Sequence, residues 1–428
     1  MRILHVNVGY PPLIGGAELY LREVARRTVA RGHQVAVYAS DAAVIEHLWA
    51  AGKEHLPADE VEMEGVAVRR FAVRHLPLLP YSYLALRRLL AECNRLGLIR
   101  EGWLWRIARY APWLPELERA FAASDTAGLP WIPELLHLWN IPYESLWGPA
   151  WRYARRHGIS CVATPLLHLG EERSAAVRRF YTMRHQMSVL RDCDAVIALT
   201  PLEADYLVSA GVLAARVHVV GGGVDIAAMQ GGDAARFRAR YALDRPFVLF
   251  IGAYNLEKGA ITLVEAVASL GREGRALDLV MIGQPMARFV DYFRRLPADV
   301  RAHCRLLGPL TDEEKADALA ACEMLALPSR TESFGLVYLE AWAAGKPVIG
   351  ARAGAVPAVI CEGVDGVLVP FGDAVALARE IAALLDDPAR AQRLGRAGQA
   401  RVCQEHTWDQ IVARVERVYE KAMVRSSG

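Results

Sequence analysis

Short apolar runs recur along this chain, separated by segments whose apolar residues fall at helical spacing. Residues 2–8 (RILHVNV) precede a loop with Pro11, Pro12, Gly15 and Gly16. Leu21, Val24, Ala25, Thr28 and Val29 then repeat at helical intervals until Gly32. The pattern predicts strand, glycine loop, helix. QVAVYAS reads as a second strand, and PELLHLW, ISCVATP and DAVIALT alternate with helical stretches such as WGPAWRYARRHG and EERSAAVRRFYTMRHQ. A second series runs through FVLFIGA, LDLVMIG, HCRLLG, EMLALPS, KPVIGA and DGVLVP, with a helical segment between most neighbours. Repeated alternation of this kind predicts parallel sheets covered by helices on both faces, so the fold class is α/β with two doubly wound domains.

The stretch GGGVDIAAMQGGDAARFRARYALD starts glycine-rich and polar, which places the domain boundary near residues 225–245. The predicted division is 1–235, 236–405 and a closing helix within 406–428. Residues 75–130 break the rhythm with enough sequence for two or three helices and read as an insertion in the first domain. Seven of the ten tryptophans lie between residues 103 and 151. Between residues 81 and 110, Arg87, Arg88, Arg95, Arg100, Arg106 and Arg109 face only Glu92 and Glu101. With Tyr81, Tyr83, Trp103, Trp105, Tyr110 and Trp113 nearby, this composition suits an anionic membrane surface. The competing reading packs the tryptophans on the first sheet and leaves the arginines solvated.

The 428 residues carry 50 basic and 48 acidic side chains, a net charge of +2, which argues against disorder and against a nucleic-acid partner. No run reaches the roughly 18 apolar residues of a spanning helix. His5, Asn7 and Pro11-Pro12 interrupt the faint resemblance of the first residues to a signal peptide. Seven scattered cysteines without a C-x-x-C pair fit a reducing cytoplasm. No metal constellation stands out. Asp192 and Asp194 form a D-x-D, but just before a strand, at its amino edge, where a structural role is expected.

The densest chemistry lies in LPSRTESFGLVYLEAWAAGKPVIGARAGAVPAVI, where a strand ends at Pro328 and a helix begins near Gly335. Glu332 precedes that helix and Glu340 falls about 7.5 Å along its axis. Between them, the first helical N–H groups around Phe334, Gly335 and Leu336 offer an anion site. A nucleoside diphosphate sugar fits this layout, with the diphosphate at the helix end, Glu340 on the ribose and Glu332 on the sugar. Spacing alone leaves a plainer reading open, in which Glu332 only favours the helix dipole and Glu340 is a solvated helix residue.

ESFGLVYLE resembles the E-x-F-G-L-x-x-x-E signature of retaining GT-B glycosyltransferases of the family-4 type. The resemblance extends through PPLIGGAELYLREVARRTVARGHQVAVY, CDAVIALTPLEADYL, VHVVGGGVD, FIGAYNLEKG and DGVLVPFGD. It implies two Rossmann-like domains facing a cleft, the first holding the acceptor and the second the nucleotide sugar, with the last helix crossing back to the first domain. It implies ribose binding by Glu340 and sugar contact by Glu332. It also implies a phosphate role for Lys258 in GAYNLEKG, a sugar-orienting role for His168 in VATPLLHLG, and a place for Gly16 beside the donor.

Two departures stand out: Ala253 occupies the place of a usual arginine, and Ala358 that of a common glutamate. Arg330 is the expected substitute cation. Main-chain groups around Gly283 and Leu307 are expected to read the base. The implied activity is retaining transfer of a hexosyl unit from a nucleoside diphosphate sugar to an alcohol acceptor, free, lipid-linked or glycan, without a metal or other cofactor. Alternatives are a noncatalytic nucleotide-binding or scaffolding protein, and a sugar phosphorylase or nucleotide-sugar epimerase of the same fold. The expected location is the cytoplasm, with association at the cytoplasmic face of a membrane if the insertion docks there.

Overall fold

The computed structural model describes residues 1–13, 15–76, 81–97, 99–123, 125–170 and 175–426. Its contacts divide the chain into two compact units. The first comprises Met1–Leu167, Ala175–Gly221 and Ile411–Gly428, and the second His168–Ser174 and Gly222–Gln410.

The first unit is built on strands β1 (Arg2–Val6), β2 (Gln34–Ser40), β3 (Glu60–Met63), β4 (Val66–Phe71), β5 (Leu135–Trp139), β6 (Ser160–Thr164), β7 (Ala195–Ala198) and β8 (Val217–Val219). Among the described residues they form one sheet in the order β3-β4-β2-β1-β5-β6-β7-β8, parallel except for the β3–β4 pair. Central strands such as β7 are buried throughout, which is why they read as continuous apolar runs. β3 and β4 escape that pattern. β3 is an edge strand with Glu60 and Glu62 exposed, and it turns into β4 through Glu64 and Gly65, both at positive φ. β8 is three residues long, too short to show a period.

Between β4 and β5 the chain forms the helices Tyr81–Leu96, Glu101–Ala108 and Pro115–Ala123. Leu90, Leu104 and Ala108 make a small core there with Met183. Arg87, expected on an outer basic face, is instead buried: its guanidinium donates to Glu144 at 2.5 Å and to the Pro142 carbonyl at 2.9 Å. Arg109 pairs with Glu118 and Arg95 with Glu92. Trp105 turns inward, 6.2 Å from the Trp151 ring and edge-on to His185. Trp103 remains outside, 55% exposed beneath the Arg106 guanidinium. The helix expected over EERSAAVRRFYTMRHQ begins in Glu171–Ser174, outside the described residues; beyond them lie the helices Ala175–Arg178 and Arg184–Asp192.

The helix Trp408–Ser426 supplies Ile411, Val412, Val415, Tyr419 and Ala422 to the first unit's core. Tyr419 bonds through its hydroxyl to His137 Nδ1 at 2.7 Å, and His137 Nε2 meets Thr164 Oγ1 at 2.8 Å. The neighbouring His5 accepts from Trp139 Nε1 at 3.0 Å. Burial pushes His137 well below its ordinary pKa and His5 down to about 3, so both rings are neutral at neutral pH.

The second unit holds β9 (Phe247–Ile251), β10 (Asp278–Ile282), β11 (Cys304–Leu307), β12 (Met324–Leu327), β13 (Val348–Ala351) and β14 (Gly366–Val369), all parallel, in the order β11-β10-β9-β12-β13-β14. Successive strands are added to one side of β9 until β12 starts the other side. The order therefore reverses between β9 and β12, the crevice where open α/β sheets take ligands. The chain passes into this unit at Gly221–Gly222, ahead of the boundary expected near residues 225–245. Gly222 already lies against Phe334 and Leu336, and Gly223 against the Trp408 ring.

Tyr419→Phe leaves a buried ring nitrogen of His137 without its partner. It should cost about 1–3 kcal/mol, read in urea as a lower midpoint with an unchanged slope.

Candidate active site

The loops leaving β9 and β12 run side by side at the reversal point. After β9 the chain passes Gly252 to Gly259 and enters the helix Ala260–Arg272. After β12 it passes Pro328 to Gly335 and enters the helix Leu336–Ala343. The Glu257 carbonyl accepts from Arg330 N–H at 2.9 Å and from Ser329 Oγ at 3.2 Å. Gly259 has φ 73°, and a Cβ there would sit 2.3 Å from the Pro328 carbonyl oxygen, so only glycine allows this approach. Asn255 Oδ1 accepts the Lys258 N–H at 2.8 Å and fixes the turn from which the lysine projects.

Lys258 Nζ donates to Glu332 Oε1 at 2.6 Å, with Glu332 only 8% exposed. Burial alone raises a carboxyl pKa. Here the charge and hydrogen bond of Lys258 outweigh it and hold Glu332 below the ordinary carboxylate range. The stability this pair contributes is present above about pH 4.5, the ordinary value, and is lost as pH falls through the lower folded value. His168 belongs to the same unit and lies within the field of both groups. Burial, with Lys258 adding to it, lowers its pKa to about 4 against the opposing pull of Glu332 and the Thr331 backbone, so the ring is neutral at neutral pH. The structure thus brings Lys258, Glu332 and His168 together.

Glu340 sits in the second turn of the Leu336–Ala343 helix, 6% exposed. Its Oε1 accepts from Lys315 Nζ at 2.7 Å, while Oε2 is buried with no partner among the described residues. Lys315 comes from the helix Asp312–Ala321 and also reaches Asp312 at 3.1 Å. Glu340 and Asp312 outweigh its burial and keep it protonated. Nothing local in the sequence pairs residues 315 and 340, although the Thr311–Glu314 capping box does announce the helix that carries the lysine. Gly335, at φ 92°, caps the Leu336–Ala343 helix. The Phe334 and Leu336 side chains pack against Gly222, so ligand contact there is left to their backbone N–H groups.

Other expected groups are placed as follows. Arg330, expected to face the phosphates, instead binds Glu257 through two bonds of 2.7 and 2.8 Å beneath a contact with the Phe371 ring. A carboxylate in reach claims the guanidinium first. Among the main-chain groups expected to read the base, the Leu307 carbonyl accepts from Gly283 N–H at 3.2 Å and from the Tyr254 hydroxyl. Ala358 is exposed on the short helix Val356–Val359. Asp192 and Asp194 hold structural bonds, from Trp151 Nε1 and from the Cys161 N–H. In the first unit Gly16 opens the helix Gly16–Ala30 after β1, and a Cβ on it would meet nothing within 4 Å. Among the described residues no group of three His, Cys, Asp or Glu side chains could hold a metal ion.

The family described as "Glycosyl transferases group 1" matches residues 233–401, and the "Glycosyl transferase 4-like domain" matches residues 15–223. The chain is 30% identical to D-inositol 3-phosphate glycosyltransferase 1 of Catenulispora acidiphila, over 97% of this chain and 92% of that one. This chain belongs to the group 1 glycosyltransferases. Solved structures share the transferase's GT-B fold. Sucrose-phosphate synthase from Thermosynechococcus elongatus aligns over 99% of this chain and 100% of its own, with TM-score 0.74 and 22% identity. Anabaena HepE in complex with UDP and glucose aligns over 98% and 99%, with TM-score 0.73 and 19% identity.

Gly259→Ala in this transferase forces a side chain into left-handed backbone and against Pro328. It should cost on the order of 2 kcal/mol or more, seen in thermal unfolding.

Proposed function

We propose that this transferase moves a hexosyl unit from a nucleoside diphosphate sugar to a hydroxyl of a polyol or sugar acceptor, with retention at the anomeric carbon. The cluster of Lys258, Glu332 and neutral His168 beside the amino end of the Leu336–Ala343 helix carries this reading. The departing diphosphate gathers negative charge as the sugar becomes oxocarbenium-like, and Lys258 with the helix N–H groups is arranged to stabilise that charge. The diphosphate takes over the lysine's charge from Glu332, which then accepts from sugar hydroxyls. Glu340 Oε2 accepts from the ribose, with Lys315 holding the other oxygen. His168 orients the sugar and exchanges no proton at neutral pH. In this scheme Lys258 and the helix end do the work of a divalent cation, and turnover persists in EDTA.

The D-inositol 3-phosphate glycosyltransferase names of the relatives favour a polyol phosphate acceptor, and the UDP-bound neighbour makes a UDP-sugar the first donor to try. The cytoplasmic placement rests on cysteines that form no disulfide among the described residues. A peripheral membrane reading stays beside it on one observation: Leu84, Leu89, Leu96 and Trp103 are each about half exposed on the helices Tyr81–Leu96 and Glu101–Ala108, which also expose Arg88, Arg95 and Arg106.

The deciding experiment incubates UDP-, GDP-, ADP- and CMP-sugars with D-inositol 3-phosphate and follows release of nucleotide and the anomeric configuration of the product by NMR. Inversion would falsify the retaining mechanism, and inorganic phosphate replacing the alcohol would make the protein a phosphorylase. Lys258→Ala should lower kcat on the order of a hundredfold. Glu340→Ala should weaken nucleotide binding by about 1.5–3 kcal/mol.

Flotation on anionic liposomes tests the membrane reading. Binding should weaken with salt and fall in Arg88→Glu/Arg106→Glu, both exposed, whereas an intact protein that never floats leaves a soluble acceptor.

A further inference from the structure

The segment that leads to His168 is strained. Leu166 has φ 54°, in the left-handed region that a buried, bulky side chain rarely adopts, and it is 5% exposed. Such a conformation persists only where its surroundings over-determine it, and it is a common mark of a positioned functional group. The Pro165 carbonyl accepts from Ile141 N–H at 3.1 Å on one side of Leu166. On the other side the Leu167 N–H donates to Glu203 Oε1 at 2.8 Å.

Glu203 lies in the first turn of the helix Pro201–Ser209 and is 2% exposed. Its Oε2 accepts from the Leu199 N–H at 2.8 Å, and its own N–H donates to Thr200 Oγ1 at 3.2 Å. One carboxylate therefore ties the chain just past β6 to the chain just past β7. Among the described residues no cation pairs with it, so ionising it in the interior costs stability. An amide has a single acceptor oxygen and would turn its NH2 toward one of the two N–H groups. Aspartate is one methylene short.

We propose that Glu203 is a positioning residue of the transferase, whose two carboxylate oxygens hold the strained Leu166–Leu167 turn and thereby fix where the next residue, His168, stands. The inference rests on the sugar-orienting role given above to His168. Protonation of Glu203 converts an acceptor oxygen into a hydroxyl and releases one N–H, so the turn is held best by the ionised form. Burial pushes this carboxyl up from 4.5 to about 7, against the two N–H donors. A raised carboxyl pKa stabilises the fold most below pH 4.5, and that contribution is lost as pH rises to about 7. Activity should therefore rise through pH 7 as this contribution to stability falls, opposite trends that a purely structural role does not produce. His168, titrating at about 4, does not supply an acid limb near 7. Tyr20 faces the carboxylate and is held protonated by burial and partly by its charge; Arg414 acts on Tyr20 in the opposite sense.

The test compares wild type, Glu203→Gln, Glu203→Ala and His168→Ala with UDP-glucose and D-inositol 3-phosphate between pH 5.5 and 9, with UDP calorimetry on each. Glu203→Gln should lower kcat at pH 8 at least tenfold, leave donor KM and UDP affinity within twofold, and lose the acid limb near pH 7. A slow His168→Ala beside a Glu203→Gln with wild-type kinetics at every pH overturns the role of Glu203 and leaves that of His168 standing. A fully active His168→Ala removes the His168 reading, and this inference with it. Both donors to the carboxylate are leucines, so 15N-leucine labelling of the wild-type protein gives a readout that needs no variant. Two leucine amides should titrate together with one midpoint, and the absence of any such pair at any pH overturns the proposal.

Discussion

The candidate active site of this transferase depends on how closely two pieces of backbone approach. Gly259 and Pro328 come together where no side chain fits, and the Glu257 carbonyl binds the neighbouring loop through Arg330 and Ser329. Lys258 and Glu332 project from these two loops, so the 2.6 Å contact between them is set by main-chain geometry before charge adds to it. The parallel pairing of β9 with β12 is what delivers both loops to one edge.

Charge then organises what the backbone has assembled. Each carboxylate of the site already has a lysine: Glu332 has Lys258, and Glu340 has Lys315. Buried acids without such partners would be driven to protonate. Lys258 keeps Glu332 low and helps burial to keep His168 uncharged, and Lys315 bonds one oxygen of Glu340 while Oε2 is buried with no partner among the described residues. One cation therefore bears on two neighbours: it holds an acid ionised and adds to the burial that keeps a base neutral.

Both sheets are legible in the sequence because their central strands are buried on both faces and leave unbroken apolar runs such as AVIA and FVLFI. β3 and β4 are not, since an edge hairpin with outward glutamates carries no such run. The site reads in part. Glu332, Gly335 and Glu340 of ESFGLVYLE stand at a spacing that suits a ligand, whereas Lys258 and His168 are reached through the family resemblance. Lys315, Glu203 and the capture of Arg330 by Glu257 depend on pairings across 25 to 73 residues, which no local period encodes. The tryptophans and arginines of the insertion show the same limit. Composition grouped Arg87 with Arg88 and Trp103 with Trp105, and burial separates each pair.

The helix Trp408–Ser426 has a consequence for the order in which the protein is made. The residues that close the first unit's core, from Ile411 onward, leave the ribosome only after the whole second unit, which at about 5–20 residues per second means a wait of roughly ten to forty seconds. During that interval His137 Nδ1 and the apolar surface meant for Val412, Val415 and Tyr419 have no partner. The first half of the chain is thus synthesised early and finished late, its core incomplete until the last helix is made.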